Sequence, residues 1–186
     1  NSQIDGELIE VRYANGWFIT ISTAGHDTTS STISGIALAL ARNPELFAKV
    51  KADRSLIPKL VEEGLRFVSP VRHFMRLATQ DAVVAGQEIK QGDRLMLLFA
   101  SANRDEDVFP DPDTFSVDRE LNKHVAFGTG PHSCTGMHVA RLEMKVLLEE
   151  LFDRVDGIEL AGEPKYLKTN FVGGLRSLPV RLVKSS

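Results

Sequence analysis

The chain is 186 residues long, with 42% hydrophobic and 25% charged residues, which is enough to bury one sizeable core. Its 22 Lys and Arg against 25 Asp and Glu leave a net charge of -3 with no dense basic block, which excludes nucleic acid as a partner. A single cysteine, Cys134, excludes an internal disulfide and is either a buried apolar filler or a working thiol.

The opening Asn1-Ser2-Gln3-Ile4-Asp5 has neither the basic flank nor the apolar run of a signal peptide or membrane anchor, so a soluble, cytoplasmic protein is expected. From Leu8 to Ala41 there is no proline, and Ala, Ile and Leu recur at helical spacing until Asn43-Pro44. One long helix is predicted there. Its middle, Ser22 to Thr32, is crowded with small and hydroxylated residues that propensity would not choose for a helix interior, and such a breach marks a candidate site. A short helix from Pro44 to about Asp53 follows, then another from Ile57 to Val68, ended by Ser69-Pro70.

After Pro70 the texture turns to short β-branched runs, Val71 to Thr79, Val83-Val84 and Leu95 to Phe99, which predict strands. Asn103 to Lys123 has Asp-Pro pairs and no period, the pattern of an ordered but irregular meander. A glycine-rich loop, Phe127 to Gly136, leads into a helix with Met137, Ala140, Met144, Leu147 and Leu151 on one face. From Val155 onward the chain reads as hairpin strands, with Gly173-Gly174 at a turn and Leu178 to Val183 closing.

Three constellations carry chemistry. Phe127-Gly128-Thr129-Gly130-Pro131-His132-Ser133-Cys134-Thr135-Gly136 fits F-x-x-G-x-x-x-C-x-G. Its glycines free the backbone for close approach to a ligand, and a cysteine at a helix N-terminus meets N–H donors and a dipole that favour thiolate. The motif resembles the cysteine loop of the cytochrome P450 family. A zinc site of His124, His132, Cys134 and His138 is the chemical rival, but it leaves Phe127 and the loop glycines unexplained and lacks paired-ligand spacing.

In the second constellation, Glu63-Gly64-Leu65-Arg66, acid and base fall three apart on a helix and can pair on one face. It resembles the family's E-x-x-R pair, and the resemblance places Arg119 as the further arginine, with a structural role under the haem-binding core. The third, Ala24-Gly25-His26-Asp27-Thr28-Thr29, resembles the family's A-G-x-D/E-T-T/S oxygen-activation motif. That implies catalytic roles for Thr28, as a hydrogen-bond donor to activated oxygen, and for Asp27, as a proton relay. A helix N-cap at Asp27 or Ser22 is the alternative, set against by apolar helical pattern on both sides.

The resemblance implies an α+β, mainly helical cytochrome P450 fold, with residues 1–186 as the C-terminal, haem-binding part of a single domain whose N-terminal half is absent. It implies haem b (iron protoporphyrin IX) held through Cys134 as the axial ligand to iron, with Phe127, Gly128 and Gly136 in the loop and Arg76 and His132 toward the haem propionates. Ala24, Val71, Phe74, Phe171 and Val172 would face the substrate, a small hydrophobe, and ordinary core is the alternative for each. Among bacterial soluble members the chain is most similar to the α-terpineol-hydroxylating branch, through Ala24 to Ser31, Ser101 to Glu106 and Thr169 to Gly174. The implied partners are an iron–sulfur ferredoxin and an NAD(P)H-dependent ferredoxin reductase. A haem-binding fragment without turnover and a peroxide-driven haem peroxygenase stay open, and the Asp27-Thr28 pair speaks against the second.

Overall fold

The structure, a computed structural model, describes residues 3–120 and 122–184. Asn1, Ser2, Leu121, Ser185 and Ser186 lie outside them. The chain opens on a small hairpin, β1 (Gln3–Ile4) with β2 (Glu7–Leu8), around Asp5 and Gly6 at φ 53° and 86°. Asp-Gly is the residue pair that a tight hairpin turn demands. That hairpin takes Leu8 away from the predicted helix, so α1 runs Val11–Arg42, about 48 Å at about 1.5 Å per residue.

Asn43 ends α1 and starts α2 (Pro44–Ala52): its side chain accepts from the Leu46 amide at 3.0 Å, and Pro44 sits where a helix needs no N–H. A 3-10 turn, Arg54–Leu56, leads into α3 (Ile57–Val68). Ser69 stops α3 in the left-handed region (φ 43°), donates its hydroxyl to the Arg66 carbonyl at 2.7 Å, and is followed by Pro70.

β3 (His73–Leu77) pairs antiparallel with β6 (Arg94–Leu98), and between them β4 (Ala82–Val84) pairs with β5 (Gln87–Ile89). β5 has one β-branched residue in three and was invisible to the sequence pattern. The run to Phe99 ends one residue early as a strand, because Phe99 opens a one-turn helix, α4 (Phe99–Ala102). From 103 to 129 the described residues form no helix or strand. Then come a 3-10 turn (Gly130–His132), α5 (Met137–Arg154), β7 (Val155–Leu160), β8 (Lys165–Tyr166), β9 (Leu175–Ser177) and β10 (Val180–Lys184), with β7 paired to β10 and β8 to β9.

The core joins the C-terminal half of α1 to α2, α3, α5 and β7 through Ile36, Leu40, Phe47, Leu60, Met144, Leu148, Phe152 and Ile158. Gly35 against Val68 and Gly64 against Ile36 leave no room for a Cβ, so α1 and α3 pack at close range. On α5 two apolar rows run side by side. The buried one carries Met144, Leu148 and Phe152, with Phe152 4.9 Å from Phe47, whereas Leu147 of the expected face is exposed. Glycines 173 and 174 do not make a turn. Neither has a positive φ; a Cβ at Gly174 would strike Ser31 on α1, so glycine is required there, whereas at Gly173 it would meet only the end of the Arg72 side chain. The N-terminal half of α1 leaves Trp17, Phe18, Ile19 and Ile21 55–70% exposed. Among the described residues, no helix is long and apolar enough to cross a membrane.

Candidate functional site

Glu63 and Arg66 are both fully buried on α3, where an unpaired charge would be prohibitive. Every polar atom is answered. Arg66 donates from Nε and Nη2 to the two oxygens of Glu63 (2.8 and 2.7 Å), and its remaining N–H groups reach the carbonyls of Asn103, Pro112 and Thr114. Glu63 also accepts from the Ser116 amide, Arg119 Nε (3.2 Å) and Asn122 Nδ2 (3.0 Å). Arg119 in turn ties down the carbonyls of Pro110, Asp111 and Thr114. The irregular meander is thus moulded around one buried ion pair. Asn103, which the sequence did not single out, is fully buried and links Ser69 Oγ (2.8 Å) to the Val125 amide (2.7 Å) just ahead of the glycine-rich loop.

In that loop Gly128 and Gly130 take φ 69° and 68°, a conformation that side chains resist. The Cys134 amide donates to the Phe127 carbonyl at 2.9 Å, and the Ser133 amide to Gly130 at 3.0 Å. Cys134 is a free, exposed thiol three residues before α5, whose first-turn amides have no helical acceptor. A Cβ on Gly136 would sit 3.9 Å from Cys134 Sγ, an ordinary contact distance that places Gly136 next to the sulfur. His132 is exposed. The rival zinc set is not assembled: His124 Nε2 is engaged by Glu62 at 3.0 Å, and among the described residues no three His, Cys, Asp or Glu gather as metal ligands.

Glu62 is a further residue that sequence reasoning missed, masked by its neighbour Glu63. It accepts from Arg141 Nε (2.6 Å) and Nη2 (2.9 Å) as well as from His124. Burial works against its charge, but the hydrogen bonds from Arg141 and His124 outweigh it and hold the carboxyl down at about 2. Arg141 is raised above its ordinary value by those bonds to Glu62, against burial, and then by attraction to Glu62 and Cys134.

On α1 the motif residues lie within unbroken helix, so neither Asp27 nor Ser22 is an N-cap. Thr28 donates its hydroxyl to the Ala24 carbonyl at 2.8 Å; Ala24, Gly25 and Asp27 are exposed, while Thr29 and Thr32 are buried. Val71 bridges Val172, the Arg72 amide donates to Phe171 (2.9 Å) and the Gly173 amide to Pro70 (2.8 Å). Phe74 stacks edge-on with Phe171 (5.6 Å) and Phe99 (5.9 Å). Phe74 and Phe171 therefore form an exposed aromatic pair, with the half-buried Val71–Val172 bridge next to them in the chain. Arg76 lies two residues beyond Phe74 on β3, hence on the same strand face, with Nη1 on the Met75 carbonyl.

The family model described as Cytochrome P450 matches residues 15–169. This chain belongs to the cytochrome P450 family. It is 50% identical over 185 residues to Cytochrome P450-terp of Pseudomonas sp, covering 100% of this chain and 43% of that protein. It is 39% identical over 188 residues to Steroid C26-monooxygenase of Mycolicibacterium smegmatis, covering 100% and 47%. The crystal structure of CYP108D1 from Novosphingobium aromaticivorans superposes with a TM-score of 0.94 at 53% identity, over 100% of this chain and 45% of that one. The chain spans about half the length of the cytochrome P450 relatives it matches. Its mixture of long helices and small antiparallel sheets is theirs.

Proposed function

We propose that the protein carrying this chain is a haem-thiolate monooxygenase that inserts one oxygen atom from O2 into a small hydrophobic substrate. The observation that carries the reading is Cys134: one free, exposed sulfur on a loop of positive-φ glycines at the start of a helix. The donor set fits a haem, which needs one protein sulfur, a flat approach and cations for its carboxylates. Cys134 would be the axial ligand, Phe127, Gly128 and Gly136 would shape the approach, and Arg76 and His132 would meet the propionates of haem b. When bound, the haem supplies the reductive activation of O2, with electrons from NAD(P)H passed by a ferredoxin reductase and an iron–sulfur ferredoxin. Thr28 holds a hydroxyl proton beside the Ala24 carbonyl, and exposed Asp27 can take protons from solvent one residue away. The buried trio Glu63, Arg66 and Arg119 keeps the meander in place behind the cysteine loop.

The substrate we favour is a monoterpenoid such as terpineol. Val71, Phe74, Phe171, Val172 and, on α1, Ala24 are the residues that would face it, and all are apolar. The 50% identity to Cytochrome P450-terp also exceeds the 39% to a steroid monooxygenase.

The test is the absorption spectrum of the reduced protein with carbon monoxide. A red-shifted Soret band that disappears in Cys134→Ser is expected; identical spectra would remove Cys134 as ligand. For substrate, terpineol should shift the haem spin state. No shift with terpenoids beside a clear shift with a steroid or a long fatty acid would replace the terpenoid reading. Steady product formation with peroxide alone, equal in wild type and Asp27→Asn, would favour the peroxygenase, and haem binding without any turnover the inactive fragment.

A further inference from the structure

We propose that Glu62, His124 and Arg141 form a positioning clamp on the ring of Phe127, and through Phe127 set where the sulfur of Cys134 stands. The inference rests on the haem-thiolate reading of Cys134 and extends it to three residues outside the ligand loop.

The clamp begins on α3. Glu62 binds Arg141 of α5 through two parallel N–H···O bonds and His124 of the meander through a third. His124 is oriented as well as held. Its Nδ1 accepts from the Ala126 amide at 3.2 Å, so Nε2 carries the proton that goes to Glu62. Both groups turn to Phe127. The Arg141 guanidinium lies 4.7 Å from the ring centroid, within cation–π range, and the His124 ring lies 5.9 Å away, tilted by 55°. Phe127 is half-buried against the core, and its carbonyl receives the Cys134 amide at 2.9 Å. One carboxylate on a packed helix is thereby connected, through the two groups it orients, to the peptide that fixes the cysteine.

Geometry favours positioning over plain stabilisation. The Glu62 and Arg141 side chains are 29% and 34% exposed, and ion pairs this near to water contribute little to folding. Three bonds converging on one carboxylate instead restrict the angle at which guanidinium and imidazole meet the ring. Arginine, planar and forked, suits this where lysine would not.

The experiment compares the haem-loaded wild type with Arg141→Lys, Arg141→Gln and Phe127→Leu. Haem content and helical circular dichroism report folding. The rate at which the ferrous carbon monoxide complex, in mild urea, passes from the thiolate-type to the thiol-type Soret band reports hold on the sulfur. Arg141→Lys and Arg141→Gln should load haem normally and convert about two- to fivefold faster than wild type. Wild-type conversion rates in either loaded variant would overturn the proposal. If Arg141→Gln does not load haem, Arg141→Lys decides alone. If Arg141→Lys also fails while Phe127→Leu loads normally, the role is folding and the proposal falls. A wild type that never shows the thiolate-type band is a different result, because it removes the haem-thiolate reading itself.

Discussion

Glu63 and Arg66 stand one helical turn apart on α3 and face each other through two parallel hydrogen bonds, with neither side chain exposed to water. Lysine in place of Arg66 would keep the charge, but it could not serve Glu63 and three carbonyls at once. We expect Arg66→Lys to lower stability by about 3–5 kcal/mol, the range for a broken buried pair. Lys90→Ala, which removes the exposed pair with Asp81, should change it by less than about 1 kcal/mol. Urea unfolding of both variants checks the contrast.

Glu62 makes stability depend on acid. Its carboxyl lies at about 2 in the folded chain against an ordinary 4.5, so the folded state favours the charged form. That contribution is fully present above about pH 4.5 and is lost as pH falls toward about 2. Glu62→Gln should be less stable than wild type at neutral pH, by no more than about 1 kcal/mol because the pair is partly exposed, with the gap closing as pH falls through about 2. An unchanged gap between the two proteins across that window would show that another group governs acid unfolding.

The two adjacent glycines should respond differently to alanine. At Gly173 the new methyl meets the end of the Arg72 side chain, which can swing aside. At Gly174 it meets Ser31, whose Cβ would be 2.7 Å and Cα 3.4 Å away, and Ser31 cannot move without α1. Gly174→Ala is expected to cost about 1–3 kcal/mol and Gly173→Ala clearly less, read from thermal unfolding.

Thr28→Ala removes the hydroxyl that leans on the Ala24 carbonyl. In the haem-loaded protein with its electron donors, NAD(P)H consumption should continue while product per NAD(P)H falls about tenfold or more and hydrogen peroxide rises. Unchanged coupling would take Thr28 out of proton handling.

The exposed apolar residues of α1 give the fifth expectation. Trp17, Phe18, Ile19 and Ile21 form a wet, large apolar surface, which isolated soluble chains rarely tolerate. Residues 1–186 expressed alone should self-associate and hold haem poorly. A cooperative monomer with one tightly held haem would contradict this.

Long elements with a clean period were legible in sequence: α1, α2 and α3 end within a few residues of where Asn43-Pro44, Ser69-Pro70 and the apolar spacing put them. β5 and α4 were not, since three or four residues carry no period of their own and owe their state to neighbours. On α5 the sequence offered two apolar rows that share Met144, and only packing against the rest of the core buries the one with Leu148 and Phe152 more deeply. The pairing of Glu63 with Arg66 could be read from a spacing of three. Glu62, His124 and Arg141 could not, because their meeting is long-range, Glu62 and Arg141 look like ordinary surface charges, and His124 suggested only a metal ligand.

Glu63 also draws its donors from far along the chain: Ser116, Arg119 and Asn122 stand 53, 56 and 59 residues after it. A loop of that length must close before any of these bonds can form, so α3 has to be in place before the meander gains anything from wrapping it. We therefore expect the bonds from Ser116, Arg119 and Asn122 to form late in folding. Changes in the residues that converge on Glu63 should leave the refolding rate almost untouched and act on the rate of unfolding, setting how long a folded molecule lasts.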